Sequence, residues 1–317
     1  MNVLIIGGTK FIGPATAKYF HKAGHHVTLF HRKKSSIPDE YMQIQGDCNV
    51  SADIKRAIEL AKPDVIVHMI ALYQSHIEAL EQALEKRQMR AVIISSADVY
   101  RGYGVLTGLE SGPIEPIPFT EQSALREVLF PYRGKLETDF AYDYEKILVE
   151  KAALQSTVLD SVILRLGMVY GENDSNRRFS DVIRQMGSGA DAIEISSGMA
   201  EFRSSKCYVE DVAHGIVLAA EKSPAGEIYN LSHHDTFTEL EWSRQIAKLM
   251  NWHGEIHINP DSITTGFSSG LNLEQPLVLD TAKIRTKLGY DEVISFEEGL
   301  MRTIHWEQNA LKREDVG

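Results

Sequence analysis

Short apolar runs alternate with amphipathic stretches from residue 2 to residue 94, and the alternation predicts repeated strand and helix. Met1-Asn2-Val3-Leu4-Ile5-Ile6 is a run of strand type. A helical pattern follows through Ala15, Ala17, Tyr19, Phe20 and Ala23, stops at Gly24, and gives way to a second strand at Val27-Thr28-Leu29-Phe30. Tyr41-Met42-Gln43-Ile44-Gln45 predicts a third strand, residues 51–61 a helix punctuated by Pro63-Asp64, Val65 to Ile70 a fourth strand, 75–87 a helix and Ala91-Val92-Ile93-Ile94 a fifth strand. The fourth strand is apolar on both faces, as a parallel sheet covered by helices on both sides requires. His68 within it reads as a core histidine rather than a ligand. The fold class is α/β, with a doubly wound parallel sheet.

Beyond the fifth strand the regular alternation stops. Residues 101–137 carry Pro113, Pro116, Pro118 and Pro131 and predict a long loop with one short helix near 123–129. A loop of that length inside a compact fold is usually a lid or a substrate wall. Its Arg126 and Arg133 are candidates for substrate anions or for solvated surface. A helix is predicted from about 137 to 154, and another over 177–187.

Composition narrows the partners. With 317 residues, 43 % of them hydrophobic, the chain has enough apolar side chains for one large core, or one core and a smaller lobe. A net charge of −11, from 33 basic and 44 acidic residues, argues against a nucleic-acid backbone as main partner, because that affinity rests on clustered Lys and Arg. Cys48 and Cys207 stand far apart with no metal-ligand spacing and read as reduced thiols, so no metal is expected. A first strand at residue 2 leaves no room for a signal peptide, and no apolar run approaches a membrane span. A cytoplasmic protein without a membrane partner is expected.

The turn between the first strand and the first helix, Gly7-Gly8-Thr9-Lys10-Phe11-Ile12-Gly13, has the chemistry of a pyrophosphate cradle. Gly7 permits a tight turn, the helix N-terminus offers free N–H groups and a positive dipole end, and Gly13 lets helix and strand pack closely. Lys10 stands where the motif has its middle glycine. At the tip of the second strand, where NAD-specific proteins hold the ribose hydroxyls with an acidic residue, the chain has His31-Arg32-Lys33-Lys34. A basic tip suits a 2′-phosphate, with Arg32 best placed to fork onto it, and favours NADP over NAD; the alternative is a solvated basic turn. Asp47, ending the third strand, either reaches the adenine amino group or caps the helix that starts near Ser51.

The fifth strand runs into Ser95-Ser96-Ala97-Asp98-Val99-Tyr100, so the Ser96 hydroxyl faces the crevice where ligands bind. The alternative, a helix cap, is disfavoured by the glycines and proline that follow. On the predicted helix 137–154, Tyr142 and Lys146 are four apart and share a face. An ammonium one turn from a phenol favours the phenolate, which suits a general base. The alternative for Tyr142 is an aromatic packed on the sheet.

Together, Gly7 to Gly13, Ser96, and Tyr142 with Lys146 resemble the extended short-chain dehydrogenase/reductase superfamily, the NAD(P)-dependent epimerase/dehydratase group. Glu150, Arg165-Leu166-Gly167-Met168-Val169-Tyr170-Gly171, Val209-Glu210-Asp211-Val212-Ala213, Tyr229-Asn230-Leu231-Ser232, Asp280-Thr281-Ala282-Lys283 and Leu288-Gly289-Tyr290 extend the resemblance along the chain. It implies a Rossmann-type sheet formed by residues 1–166 with returns near 205–232, and a smaller substrate-binding lobe from 167–204 and 233–317. It implies that Tyr142 is the catalytic acid/base, that Lys146 holds the nicotinamide ribose and lowers the tyrosine pKa, and that Ser96 orients the substrate oxygen. The cofactor set is then Gly7, Thr9, Lys10, Phe11, Ile12, Gly13, His31, Arg32, Asp47, Tyr142 and Lys146, with Asp98 and Arg203 toward the substrate. Hydride passes to or from a secondary alcohol or ketone of a small-molecule substrate, most plausibly a sugar nucleotide, and relatives often form homodimers. Ala97 replaces one member of the acid pair that sugar-nucleotide dehydratases carry. Lys10 resembles the loop of the chloroplast stem-loop-binding branch, whose members bind RNA. A cofactor-binding regulator or RNA-associated protein without turnover is therefore the alternative function.

Overall fold

The computed structural model describes residues 1–32, 40–260 and 270–314. Among these, seven parallel strands form one sheet in the order β10-β6-β5-β4-β1-β2-β3. They are β1 (Asn2–Ile6), β2 (His26–His31), β3 (Met42–Gln45), β4 (Val65–His68), β5 (Met89–Ser96), β6 (Leu159–Leu166) and β10 (Ile228–Leu231). Register is parallel at each junction, with Ile6 beside both Phe30 and His68, and Ser96 beside Leu166. After β3 the chain crosses back to lay β4 on the other side of β1. The order reverses there, and a crevice opens at the strands' carboxyl ends.

Helices cover both faces, which is why the central strands are apolar throughout. On one face α1 (Ile12–Lys22) and α9 (Val209–Lys222) pack over Val3, Ile5, Val67, Val92 and Leu164. On the other, α2 (Ser51–Ala61), α3 (Gln74–Leu84) and α6 (Lys146–Gln155) pack over Leu4, Ile6, Ile66 and Ile93. In α1 the buried positions Gly13, Thr16, Ala17 and Phe20 follow the helical period.

The remaining strands make two small parallel pairs. Strand β7 (Met168–Tyr170) joins β9 (Lys206–Tyr208), and β8 (Ala192–Ser196) joins β11 (Glu255–Asn259). Around them lie α7 (Ser180–Gly187), α8 (Ser197–Glu201), α10 (Glu239–Leu249), α11 (Ala282–Leu288) and α12 (Phe296–Glu314). Helix α10 begins with a complete capping box between Thr238 and Glu241. A separate core of Val99, Tyr100, Tyr103, Phe119, Phe202, Leu277 and Leu279 ties the 101–137 stretch to residues near 275.

Two predicted helices are corrected. Residues 123–129 form no helix, because their backbone is spent elsewhere: Leu125 bridges to Tyr100, Arg101 N–H donates to Ala124, and Arg126 N–H donates to Val99. The helix of this stretch is instead α4 (Arg101–Leu106), entered from a 3₁₀ turn at Ala97–Val99. The helix expected from 137 to 154 is broken into α5 (Asp139–Asp143) and α6. Tyr144 and Glu145 between them are extended, the Glu145 N–H donates to Leu72, and its carboxylate caps α6 by accepting from the Ile147 N–H at 2.9 Å.

Candidate active site

The glycine turn folds as its residues require. Gly7 takes a φ of +85° as the chain leaves β1, a region open to glycine. A β-carbon on Gly13 would lie 2.4 Å from the Gly8 carbonyl carbon, so only glycine allows α1 to pass this close. Phe11 precedes α1 with a φ of 46°, a conformation a non-glycine residue holds only where its surroundings impose it. No side chain caps α1; of its first-turn N–H groups, that of Gly13 donates to the Lys10 carbonyl at 3.0 Å, and the N-terminus stands open to an anion. These features fit a dinucleotide pyrophosphate.

Gly7, Thr9, Lys10, Phe11, Ile12, Gly13, His31 and Arg32 line one cleft of about 620 Å³, together with Gly46, Cys48, Met69 and Ile70. Ile70 lies across from Gly7, where a β-carbon would meet it at 2.7 Å. His31 is buried, its Nε2 3.1 Å from Gln43 Oε1, whereas Arg32 is exposed. Lys33 and Lys34 lie outside the described residues. Asp47 does not cap α2 by its side chain: Oδ1 accepts from the Asn49 N–H and amide at 2.9 and 2.7 Å. Those bonds, the Asn49 N–H foremost, hold its pKa below the usual carboxylate range.

A second polar group gathers at the end of β5. Ser96 caps the 3₁₀ turn after all, accepting from the Asp98 N–H at 3.2 Å. Asp98 is buried; its Oδ2 accepts from the Tyr144 hydroxyl at 2.7 Å and the Tyr132 hydroxyl at 3.2 Å, and Tyr103 donates to Tyr132 at 3.1 Å. Burial pushes the Asp98 pKa up, opposed by the Tyr144 hydrogen bond and by the Arg126 and Lys146 charges. Lys146 is buried at the start of α6 and donates to the Ala71 and Ile94 carbonyls at 2.7 and 2.8 Å. Desolvation lowers its pKa to about 8, against the pull of Asp98 and Glu150.

Tyr142 is not part of this group. It is 62 % exposed, its ring 4.4 Å from the Arg133 guanidinium, because the break at Tyr144-Glu145 takes it off the helix that bears Lys146. Arg203 lies outside both clusters, its guanidinium donating to the Thr236 carbonyl at 2.6 Å and 3.7 Å from Glu241. Arg126 is neither solvated nor free for an anion: it is buried against Glu145 at 3.0 Å and also donates to the Asp98 and Val128 carbonyls. Tyr132 and Tyr144 escaped the sequence reading. Tyr144 sits inside the Tyr142-Asp143-Tyr144-Glu145-Lys146 stretch, where helical spacing to Lys146 singled out only Tyr142.

Behind this corner, Arg165 meets Glu150 at 2.7 Å, Ser95 donates to Glu150 at 2.5 Å, and Arg165 also donates to Tyr100, whose hydroxyl reaches Asn230. The network ties β5, β6, β10 and α6 together and fixes where Lys146 stands.

A family model described as the NAD dependent epimerase/dehydratase family matches residues 3–232. A UDP-N-acetyl-alpha-D-glucosaminuronate decarboxylase of Bacillus cytotoxicus is 24 % identical over 96 % of this chain and 96 % of its own. The chloroplast stem-loop binding protein of 41 kDa b of Arabidopsis thaliana is also 24 % identical, over 94 % of this chain and 77 % of its own. Among solved structures, dTDP-glucose 4,6-dehydratase of Bacillus anthracis in complex with NAD superposes with a TM-score of 0.73 at 17 % identity, covering 98 % of each chain.

Proposed function

Because the chain belongs to the NAD dependent epimerase/dehydratase family, we propose that it transfers hydride to or from a secondary alcohol or ketone of a sugar nucleotide, with NADP preferred over NAD. The observation that carries this reading is the adjacency of the two clusters: the glycine cleft at β1 and β2, and Ser96 with Lys146 beyond the ends of β5 and β4. The nicotinamide of a bound cofactor supplies the hydride donor or acceptor. The α1 N-terminus and Lys10 stabilise the pyrophosphate, and Arg32 takes the 2′-phosphate. Lys146 holds the ribose side, and Ser96 orients the substrate oxygen on which charge changes. A tyrosine of the Tyr142 to Tyr144 stretch moves the proton.

In the same proposal, residues 1–166 with 205–232 hold the cofactor, residues 167–204 and 233–317 hold the sugar, the protein pairs as a homodimer, and it acts in the cytoplasm. Among the described residues no helix is long and apolar enough to cross a membrane. The named relatives that act on UDP- and dTDP-linked sugars support the substrate class.

The test mixes the protein with NADPH or NADH and a panel of UDP- and dTDP-linked keto-hexoses. Oxidation of NADPH is expected, preferred over NADH, and slowed by at least about 100-fold in Lys146→Met. Equal rates in wild type and Lys146→Met would overturn the assigned site. The likeness to a stem-loop binding protein favours a second reading as an RNA-associated protein. Tight RNA binding with a steep salt dependence and no turnover would establish that reading in place of the first.

A further inference from the structure

We propose that Tyr144, rather than Tyr142, is the proton-transfer tyrosine of this site, and that Asp98 is the carboxylate with which it exchanges its proton. The inference rests on the hydride-transfer reading above and names a residue set for it.

The geometry around Tyr144 is that of a working phenol. Its hydroxyl donates to Asp98 Oδ2 at 2.7 Å and its ring centroid is 5.8 Å from Lys146 Nζ; burial first, then the Asp98 carboxylate, hold its pKa well above the usual phenol value, with Ser96 opposing, so at rest the phenol keeps its proton. Tyr142 has none of these neighbours; its ring covers Arg133 and its carbonyl accepts from Arg133 Nε at 2.8 Å. The chain between them is fixed on the Tyr144 arrangement. Glu145, at the start of α6, is clasped by Arg126, by the Phe130 N–H at 2.6 Å and by the Ile147 N–H. Winding Tyr142 inward means tearing Glu145 from all three partners.

Asp98 is built as a proton acceptor. Oδ2 receives two tyrosine hydroxyls, while Oδ1 is buried with no hydrogen-bond partner among the described residues. The charged groups facing it are Arg126 from the 101–137 stretch, Lys146 from α6, and Glu145 between α5 and α6. A buried carboxyl that holds a proton more tightly than usual is a better acceptor than an exposed one, and it takes the Tyr144 proton as that oxygen receives the substrate's. As the substrate C–H bond breaks and its hydride, carrying the bond's electron pair, would pass to the oxidised nicotinamide of a bound cofactor, the substrate hydroxyl proton passes to the Tyr144 oxygen and the Tyr144 proton passes to Asp98 Oδ2. The products are a ketone and a neutral Asp98; the reverse sequence serves reduction.

The test has two arms. In cofactor-free protein, the carboxylic C=O stretch of Asp98 is followed against pH by infrared difference between wild type and Asp98→Asn. Tyr144→Phe removes a donor that favours the carboxylate, so the Asp98 titration moves to higher pH in that variant and stays in place in Tyr142→Phe. An unmoved titration in Tyr144→Phe overturns the pairing. In the second arm, kcat falls by at least about 100-fold in Tyr144→Phe, with KM and NADPH affinity within about threefold, while Tyr142→Phe keeps most of its rate. Retained NADPH affinity shows that the variant is folded. A dead Tyr142→Phe beside an active Tyr144→Phe overturns the assignment but leaves the hydride-transfer reading intact. A wild type that binds NADPH and turns over no keto-sugar overturns both.

Discussion

The cleft at β1 and the proton corner at β5 lie at the same, carboxyl end of the strands of one sheet but are built in opposite ways. The cleft is made mostly from neighbours in sequence, Gly7 to Gly13 and His31-Arg32, and its main device is the absence of side chains. The corner is made from Ser96, Asp98, Arg126, Tyr132, Tyr144 and Lys146, which four separate stretches bring together, and its device is buried charge. A site of missing atoms tolerates loss and fails on addition; a site of paired buried charges does the reverse. The difference separates what each substitution below is expected to do.

The largest effect is expected from Arg126→Ala. Both partners of the Arg126–Glu145 pair are fully buried, with side chains 0 % and 1 % exposed, so the variant leaves a buried carboxylate without its cation. A loss of about 3–5 kcal/mol in urea denaturation is expected. Arg126→Ala combined with Glu145→Ala is expected to recover part of it. A loss below about 1 kcal/mol would mean that the corner is held by something other than charge.

Next is acid. His68 and His76 stack at 5.7 Å behind the corner, and both ring nitrogens of His68 are buried with no hydrogen-bond partner among the described residues. Burial, reinforced by Lys146, pushes the His76 pKa down to about 4 and that of His68 well below its usual value. The unfolded chain therefore takes up protons before the folded one does. Stability is full above the ordinary histidine value of 6.5 and is lost as pH falls toward 4, by up to about 3 kcal/mol for His76 at about 1.4 kcal/mol per pH unit. The check is the urea midpoint at pH 7 and pH 4.5, with a smaller drop expected in His76→Gln than in wild type.

The same contrast decides what was legible beforehand. The parallel sheet, its two helical faces and the glycine cradle follow from short-range pattern: strand runs, helical period, and a turn whose residues are contiguous. The break between α5 and α6 does not. Residues 137–154 have helical spacing throughout, and what stops the helix is Arg126, nineteen positions away, drawing Glu145 into a buried pair that also caps α6. Once Glu145 is a cap, Tyr142 and Lys146 cease to be one helical turn apart and Tyr144 faces inward. Arg126 itself lies in a proline-rich stretch whose composition says surface, and the pairing of that stretch with Val99 to Arg101, centred on the bridge between Leu125 and Tyr100, carries it inside. Ser96 shows a milder form of the same limit: it ends β5 as the strand run implies, and it caps a 3₁₀ turn that glycine content alone argued against.

The cleft is tested by adding one carbon. Gly13→Ala places its β-carbon within 2.7 Å of three backbone atoms of Gly8, and backbone yields less readily than a side chain. A loss of about 1–3 kcal/mol is expected, with a fall in NADPH affinity larger than that in any variant of the proton corner. Unchanged affinity would place the pyrophosphate away from the α1 N-terminus.

The smallest effect is the one that separates NADP from NAD. Arg32 is exposed at the cleft rim, its carbonyl held by the Gln45 amide at 3.0 Å, so the backbone at the tip of β2 is anchored while the guanidinium is left in solvent. A charge-assisted contact to a 2′-phosphate there is discounted by water and by salt, and about tenfold in affinity, or about 1.4 kcal/mol, is the expected cost of Arg32→Ala for NADPH. NADH affinity should stay within about twofold, since no phosphate is present to lose the contact. The gap between the two cofactors should also narrow as salt rises, because an exposed pair is screened. If instead NADPH and NADH weaken equally, Arg32 acts on a part common to both, the adenine or its ribose, and the basic tip carries no preference between them. That outcome would remove Arg32 as the side chain that reads the cofactor's identity and would place the choice between NAD and NADP, among the described residues, on the cleft's shape at His31 and Gly46.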